Sequence, residues 1–442
     1  MSDWAKDLQN RWLVAIIILS VFLRVAVAFY LGDIVDAPPL LTDQRSYHAL
    51  GARLISGHGF SFDRDWYPFT PANTPTAHWS FLYSLFVAAV YAVFGVHPLA
   101  VRLVQAVLGG ILLPLMVYRV GSSLLQPDVS APLNSVPLVG AALAAVYAYF
   151  ILYAATLMTE TFFIVALLWS LERTLALNIR PTPARALGLG LALGLAALLR
   201  QTILPWVVVV FIWLLWSGHQ QQALRKTVAS LLLSIGVIAV LILPFTIRNM
   251  RVYGQFLLLN SNAGYAMYSA QSPMQGTDFK EFEAAPVPQE LVGLNEAQLD
   301  RELMRRGINF VLADPGRYLL LCLSRVRAYF EFWPLPQTTL LDNIGRVGSF
   351  GLFLPFMLYG LFLSVRATFE SSRTFARFAR TPAALALLFV LFYSGLHILT
   401  WSMPRYRLPV DAVVLPFAAW ALIDMASWAR WQWGIRTSDT RV

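Results

Sequence analysis

Charged residues are scarce in this sequence, and cysteine is almost absent. Asp, Glu, Lys and Arg together make up 13% of the 442 residues, whereas hydrophobic residues make up 58%. Soluble domains carry roughly 25% charged and 45–50% apolar residues. A soluble enzyme, a disordered tail and a small disulfide-stabilised module are therefore excluded. Because Cys322 is the single cysteine, an intrachain disulfide and a thiolate metal cluster are excluded as well.

Lysine is also rare, although the formal net charge is +9. Its only positions are Lys6, Lys226 and Lys280, and arginine supplies every other basic side chain. Two explanations of this excess of arginine stay open: a biased genomic base composition, and selection for the bidentate guanidinium of arginine. The arginines are spread between apolar blocks and do not gather on one soluble face, and no GxxxxGK[ST] phosphate loop is present. We therefore expect no nucleic-acid partner.

What the sequence does contain is a series of apolar blocks, each long enough to cross a hydrocarbon layer about 30 Å thick. The first block lacks the small-residue cleavage site of a signal peptide, so we predict that it is a membrane span. We predict about ten spans in an all-α polytopic membrane protein. They lie at roughly 13–31, 101–121, 136–154, 158–177, 184–200, 202–217, 227–246, 348–366, 382–400 and 409–428.

One further apolar block, residues 80–95, decides the orientation of the chain. If it does not cross the membrane, the short basic loops all fall on the cytoplasmic side, as the positive-inside rule requires. We therefore predict that 80–95 is a juxtamembrane helix and that both termini are cytoplasmic. The predicted organisation is a cytoplasmic N-terminus with the first span (1–31), a first outer loop (32–100), spans two to seven (101–246), a second outer loop (247–347), spans eight to ten (348–428) and a cytoplasmic tail (429–442).

Each outer loop is predicted to contain surface helices. In the first, Tyr47 and Leu50 recur at helical spacing after Asp43, which predicts a helix that lies on the membrane with one face in lipid. In the second, residues 295–312 form an amphipathic stretch capped by Asn295. The next stretch, 317–332, is too rich in arginine to span and is predicted to lie along the membrane surface.

Two acids at the predicted outer surface are candidates for chemistry. Asp43 either caps the helix that it begins or accepts a proton from an incoming hydroxyl. Glu160 begins a predicted span, where the helix dipole favours an acid. With Asp43 it forms either a carboxylate pair or an oxygen site for a divalent cation. The histidines of the outer loops lack the spacing of a metal motif such as HExxH.

Arginines at the outer ends of the spans are more informative. They are Arg102, Arg200, Arg248, Arg251, Arg405 and Arg407. Such arginines suit a phosphate group, which they bind bidentately through charge-assisted hydrogen bonds, although snorkelling to lipid headgroups is the alternative. Inside the first span, Arg24 requires a carboxylate partner or a wet cavity.

Taken in order, several short motifs resemble those of the C-type glycosyltransferases, in the branch of the protein O-mannosyltransferases and the lipid A aminoarabinose transferase. These motifs are Asp43 with Tyr47, Gly57-His58-Gly59-Phe60, Met158-Thr159-Glu160, the run from Gly190 to Arg200, Ile247-Arg248-Asn249 with Gly254, and Arg405-Tyr406-Arg407-Leu408-Pro409. The matching pieces cover most of the chain.

The resemblance implies seven spans before the second outer loop, juxtamembrane helices in the first, Asp43 as catalytic base and a polyprenyl-phosphate-linked sugar as donor. Where relatives often carry a second acid, this sequence has Gln44, so Asp43 acts alone or with Glu160. We expect four arginines to bind the donor phosphate and four further residues to bind substrate. The arginines are Arg405, Arg407, Arg248 and Arg200. The substrate-binding residues are Tyr47, His58, Asn249 and Tyr265.

The sequence thus favours a membrane glycosyltransferase at the outer face of a bacterial inner membrane, with a lipid, glycan or protein hydroxyl as acceptor. Arginine can stabilise the leaving phosphate without a required metal, and a divalent metal stays open. The alternatives are a transporter or flippase for a phosphate-bearing lipid and a scaffold subunit without chemistry. A transporter is disfavoured because no paired, Gly- or Pro-broken spans divide the chain into two related halves.

Overall fold

The computed structural model describes residues 3–35, 43–124, 135–280, 283–336, 340–372 and 374–439. Within these ranges the chain is helical and contains no named strand, only two isolated β-bridges in the first outer loop. The helices of the first half are α1 (Asp3–Leu31), α2 (Asp43–Ile55), α3 (Phe81–Phe94), α4 (Pro98–Leu124), α5 (Val136–Val146), α6 (Ala148–Ala154), α7 (Glu160–Ile179), α8 (Pro183–Leu199) and α9 (Leu204–Gln220). Those of the second half are α10 (Leu224–Tyr253), α11 (Ala263–Gln271), α12 (Glu296–Ala313), α13 (Pro315–Tyr329), α14 (Leu340–Arg346), α15 (Leu352–Ser372), α16 (Phe375–Phe378), α17 (Pro382–Leu399) and α18 (Leu408–Asp439).

The described helices confirm a polytopic membrane protein. Eight of them are long and apolar enough to cross a bilayer, and α5 with α6 forms a ninth candidate that is bent by 59°. The remaining predicted span corresponds to α8, an apolar helix of 17 residues. The block 80–95 forms α3, which has only 14 residues. That length agrees with a juxtamembrane helix.

The spans pack closely where a glycine removes the side chain. At Gly360 in α15, an added Cβ would lie 1.8 Å from the carbonyl oxygen of Phe417 in α18. No side chain fits in that space, so glycine allows the two helices to touch through their backbones.

The bend between α5 and α6 explains the arginine inside the first span. Tyr147 has an extended ψ of 112°, which interrupts the helix and leaves the last carbonyls of α5 without helical partners. The fully buried Arg24 donates to the carbonyl oxygens of Ala144 and Ala145 at 3.1 and 3.0 Å and to Ser20 Oγ at 2.6 Å. Among the described residues, the two terminal nitrogens of Arg24 thus bind carbonyls and a hydroxyl instead of the expected carboxylate, and its Nε atom is buried without a hydrogen-bond partner.

Helix α2 begins at Asp43 as predicted, but its apolar face does not meet lipid. Tyr47 and Leu50 are 6% and 0% exposed. The ring of Tyr47 contacts Trp79 and Tyr83 edge-on, at centroid distances of 5.7 and 4.7 Å. The periodicity identified a buried face correctly, but that face packs on protein at α3.

The second outer loop folds into a small layer of helices with its own core. Tyr265, Tyr268, Leu299 and Leu303 form that core with neighbouring apolar residues. Helix α12 begins with the cap predicted at Asn295, and the structure shows that this cap is a capping box, in which the Asn295 side chain accepts from the Gln298 backbone N–H. The amphipathic helix expected at 295–312 is therefore confirmed.

A buried carboxylate ties this layer to the first outer loop. Glu296, at the start of α12, is 5% exposed. It accepts hydrogen bonds from Thr70 Oγ1 at 2.8 Å, the Ala77 backbone N–H at 2.7 Å and Ser261 Oγ at 2.8 Å. The Tyr253 hydroxyl, at the end of α10, also donates to it at 3.3 Å. One charge thus links both outer loops to the end of a span.

Candidate active site

Two acids and two arginines that are far apart in the sequence meet where several helices end. Asp43, the first residue of α2, accepts from Arg405 Nη1 at 2.8 Å, although 362 positions separate the two residues. Their side chains are 23% and 12% exposed. Arg405 lies in the short 3₁₀ turn Pro404–Arg407 that leads into α18. This contact places the predicted base beside a predicted phosphate ligand.

The second pair consists of Glu160 and Arg200. Glu160 begins α7, and Arg200 follows α8 in an extended conformation that turns its side chain out of the helical path. Arg200 Nη2 lies 2.5 Å from Glu160 Oε1, and Arg200 Nε donates to Thr159 Oγ1 at 2.9 Å. Arg405 Nε is 3.9 Å from the same Glu160 oxygen. The two ion pairs therefore form one continuous cluster, which we call the paired-charge cluster: Asp43, Glu160, Arg200 and Arg405.

The paired-charge cluster carries two negative and two positive charges, and it retains capacity for a ligand. Glu160 is 2% exposed, yet its Oε2 atom is buried without a hydrogen-bond partner among the described residues. Arg405 Nε is buried in the same way. Unsatisfied buried polar atoms are costly. A ligand that offers both a hydrogen-bond donor and an anionic acceptor would satisfy both atoms.

Gln44, which stands where relatives often have a second acid, has a clear positioning contact. It is 2% exposed, and its Oε1 accepts from the Leu157 backbone N–H at 3.2 Å. This bond joins the start of α2 to the turn before α7. Gln44 thereby fixes the position of its neighbour Asp43 relative to Glu160.

The sequence analysis missed Tyr406, which lies between two of the predicted phosphate ligands. Its ring centroid is 5.3 Å from the guanidinium carbons of both Arg200 and Arg405. The Phe163 ring lies 5.8 Å from the same carbon of Arg200. The only sequence signal was its place in the motif Arg405-Tyr406-Arg407.

Arg407 is not brought to the cluster, although only one residue separates it from Arg405. It is fully buried and paired with the equally buried Asp411 at 3.1 Å. It also donates to the Tyr329 carbonyl oxygen at 2.6 Å, while the Tyr147 hydroxyl donates to Asp411 at 2.7 Å. These contacts hold the start of α18 against the bend between α5 and α6 and against the end of α13.

Arg248 and Asn249 have partners elsewhere. The Arg248 guanidinium carbon lies 5.5 Å from the centroid of the Phe81 ring and 5.7 Å from that of Phe60, and Arg248 donates to Asn249 Oδ1 at 3.0 Å. Asn249 is fully buried and donates to the carbonyl oxygens of Leu257 and Leu259. Both residues shape the turn after α10.

The other predicted substrate residues occupy three different environments. Tyr47 lies one helical turn from Asp43, and burial raises its pKa, with a further rise from the Asp43 carboxylate, so its hydroxyl stays protonated. Tyr265 shares a hydrogen bond of 2.9 Å with the Tyr67 hydroxyl in the outer layer. His58 is exposed on the turn after α2. The structure therefore brings only Tyr47 near the paired-charge cluster.

His78, at the start of the segment that leads into α3, is a further titratable neighbour. Burial lowers its pKa, while the carboxylates of Glu296 and Asp43 oppose that change. Its imidazole is therefore neutral at pH 7. Its Nδ1 atom is buried without a hydrogen-bond partner among the described residues.

The described part of the chain contains no group of three or more His, Cys, Asp and Glu side chains close enough to hold a metal ion. The two carboxylates of the paired-charge cluster each bind a guanidinium.

Comparisons with known proteins agree with this architecture. Residues 78–247 match the family described as dolichyl-phosphate-mannose-protein mannosyltransferase. No curated protein sequence matches the chain.

Solved structures give matches across nearly the whole chain. AglB oligosaccharyltransferase from Archaeoglobus fulgidus, in complex with an inhibitory peptide and a dolichol-phosphate, has 14% identity and a TM-score of 0.59, covering 97% of this chain and 52% of that one. An Archaeoglobus fulgidus oligosaccharyltransferase in complex with Zn and sulfate has 16% identity and a TM-score of 0.54, covering 93% of this chain and 48% of that one. ArnT from Cupriavidus metallidurans, bound to undecaprenyl phosphate, has 14% identity and a TM-score of 0.51, covering 93% and 60%.

This chain thus spans 52% of the length of AglB and 60% of that of ArnT. At such low identity the matches establish the fold and nothing finer. The chain has the helical membrane fold of the C-type glycosyltransferases, which confirms the resemblance found in its sequence motifs.

Proposed function

We propose that this protein is a membrane glycosyltransferase that transfers a sugar from a polyprenyl-phosphate-linked donor to a hydroxyl group. The observation that carries the proposal is the paired-charge cluster, in which Asp43 and Arg405 meet at 2.8 Å beside Glu160 and Arg200. Sugar transfer from a phosphate is aided by a base that accepts the proton of the acceptor hydroxyl and by cations that stabilise the leaving phosphate. The paired-charge cluster brings both kinds of group to one place.

Arg405 and Arg200 are proposed to bind the donor phosphate. Guanidinium forks bind phosphate oxygens through short, charge-assisted hydrogen bonds. Both arginines are already placed by carboxylates, so little ordering is needed when the anion arrives. The AglB and ArnT structures contain dolichol-phosphate and undecaprenyl phosphate, respectively. Those ligands support a lipid phosphate as donor here.

Asp43 is proposed to act as the general base. Its Oδ2 holds Arg405, and a carboxylate has a second oxygen that can accept the proton of an acceptor hydroxyl. As that proton moves to Asp43, the hydroxyl oxygen forms a bond to the anomeric carbon. The bond from that carbon to the phosphate oxygen breaks, and its electron pair stays on the phosphate. The arginines stabilise the added negative charge.

Glu160 is proposed to hold the two arginines and to accept a hydrogen bond from a sugar hydroxyl through its unpartnered Oε2. Tyr47 is proposed to line the same site because it lies one turn from Asp43. In this mechanism Arg407, Arg248 and Asn249 stabilise the scaffold. Tyr265 lies in the core of the outer layer, and His58 lies on the exposed surface that an acceptor approaches.

The predicted topology supports a site on the non-cytoplasmic side of a bacterial inner membrane. In that topology, the ends of α1, α8 and α10 and the starts of α7 and α18 lie on the side of the two long loops. The loops at 32–100 and 247–347 then face the acceptor, which we propose to be a hydroxyl of a lipid, glycan or protein.

The decisive experiment uses purified full-length protein in lipid nanodiscs. It is incubated with a radiolabelled polyprenyl-phosphate sugar and a membrane extract that supplies lipid, glycan and protein acceptors. We expect label to move into product and free polyprenyl phosphate to accumulate in equal amount. The alternative is tested with the same protein reconstituted in sealed vesicles. Movement of the labelled lipid from one leaflet to the other, without any sugar transfer, would instead identify a flippase.

A further inference from the structure

Tyr406 contacts both arginines of the paired-charge cluster. Its ring centroid lies 5.3 Å from the guanidinium carbon of Arg200 and 5.3 Å from that of Arg405. The negative face of an aromatic ring attracts such cations, most strongly in a desolvated setting. One ring thus binds two like charges that would otherwise repel each other.

The Tyr406 ring packs on His397, which in turn contacts two further aromatic side chains. His397 in α17 packs on it at a centroid distance of 4.8 Å and an interplanar angle of 30°. Tyr329 and Tyr393 contact the other sides of the His397 ring, at 6.3 and 4.8 Å. His397 is 4% exposed and Tyr393 is fully buried. The ring therefore has little freedom to move.

The two arginines also share one carboxylate oxygen. Glu160 Oε1 lies 2.5 Å from Arg200 Nη2 and 3.9 Å from Arg405 Nε. The carboxylate thus fixes one end of the pair of guanidiniums. A second fixed element is needed to set their spacing, and Tyr406 is the described side chain whose ring contacts both of them.

We infer that Tyr406 is a positioning residue that holds the guanidiniums of Arg200 and Arg405 at the spacing with which they bind one phosphate group. This inference rests on the proposed function, because it assigns that phosphate to the lipid-linked donor. Tyr406 acts through the face of its ring, so its phenolic hydroxyl is dispensable.

The test is the affinity of the full-length protein in nanodiscs for undecaprenyl phosphate, which requires no sugar transfer. Tyr406→Leu removes the ring and is expected to weaken binding on the order of tenfold. Tyr406→Phe keeps the ring and is expected to bind within about twofold of the wild type. Tyr406→Met, with an unbranched side chain of good packing ability, replaces the leucine variant if that variant fails to fold.

A matched control is Phe279→Leu. It removes a ring that lies 5.0 Å from the guanidinium carbon of Arg325, in the outer layer. It is expected to lower thermal stability and to leave the affinity unchanged. Transfer kinetics supply a second measurement, since the inference requires Tyr406→Leu to raise KM for the donor more than it lowers kcat.

Equal affinity of the wild type and Tyr406→Leu would overturn the inference, as would equal loss in Tyr406→Phe, which would assign the role to the hydroxyl. The proposed function fails separately if the wild type binds undecaprenyl phosphate but transfers no sugar. A wild type that does not bind this lipid overturns the phosphate assignment for the arginines, and the role of Tyr406 with it.

Discussion

Replacing Asp43 by Asn separates the two roles of this side chain more sharply than any other change. Asp43 Oδ2 accepts from Arg405 at 2.8 Å, and the asparagine oxygen can accept the same bond. The substitution keeps the size of the side chain and removes its charge. We therefore expect a folded protein in which the base is gone and Arg405 is still nearby.

The substitution is expected to lower the rate of sugar transfer and to raise the affinity for polyprenyl phosphate. Loss of a general base lowers the transfer rate by about 10²–10⁴-fold. At the same time, the paired-charge cluster changes from a net charge of zero to +1. A carboxylate roughly 8 Å from a bound phosphate repels it by about 2 kcal/mol at an effective dielectric constant of about 20. Asp43→Asn should therefore bind polyprenyl phosphate about tenfold more tightly or better while it transfers almost no sugar.

Two assays on one preparation measure this split: the initial rate of transfer at saturating donor, and the Kd for polyprenyl phosphate in nanodiscs. Asp63→Asn is the matched control, because Asp63 belongs to the same outer loop and its ion pair among the described residues is with the exposed Arg64. That control should leave both values unchanged. A transfer rate for Asp43→Asn within tenfold of the wild type would refute the assignment of Asp43 as base. Weaker binding would refute the charge argument.

Three further changes test the scaffold. Glu296→Gln places an amide N–H₂ among donors and should destabilise the link between the outer loops by about 1–3 kcal/mol, seen as faster proteolysis of the second outer loop. Gly360→Ala should lower the melting temperature of the purified protein, because its Cβ would lie 1.8 Å from a backbone oxygen of α18, whereas Gly236→Ala, with no atom within 4 Å of its Cβ, should not. Burial raises the pKa of Asp300 from 3.8 to about 6. The folded state therefore gains stability below pH 4 and loses it as the pH rises through about 6. Asp300→Asn should abolish this dependence and stabilise the protein at pH 7.5 by up to about 3 kcal/mol, as thermal unfolding across pH 4–8 can show.

The features that were predictable from the sequence are those encoded by neighbouring residues. Each apolar block identified a helix because span length is a local property, and Asn295 identified the start of α12 because a capping box occupies only four positions. The apolar block at 80–95 is short, and the helix that it forms is correspondingly short, because the length of an apolar block is also a local property.

What the sequence could not give was the partner of each side chain. The periodicity of Tyr47 identified a buried face, yet only the fold shows that α3 covers it. Arg24 and Arg407 are both arginines near apolar helices, but one binds carbonyls released by a helix bend and the other a buried aspartate. The sequence predicts the same role for Arg405 and Arg407. In the structure, both lie in one 3₁₀ turn, but Arg405 pairs with Asp43 and Arg407 with Asp411.

The carboxylate of Glu296 has a consequence for how substrates enter. It receives donors from the first outer loop, the second outer loop and the end of α10. Lifting the outer layer at this point would break these hydrogen bonds, which contribute on the order of 1 kcal/mol each. The outer layer is therefore anchored at this end. For the proposed reaction, this anchor favours entry of the lipid-linked donor from the bilayer and approach of the acceptor from the aqueous side, so that the two reactants take separate routes.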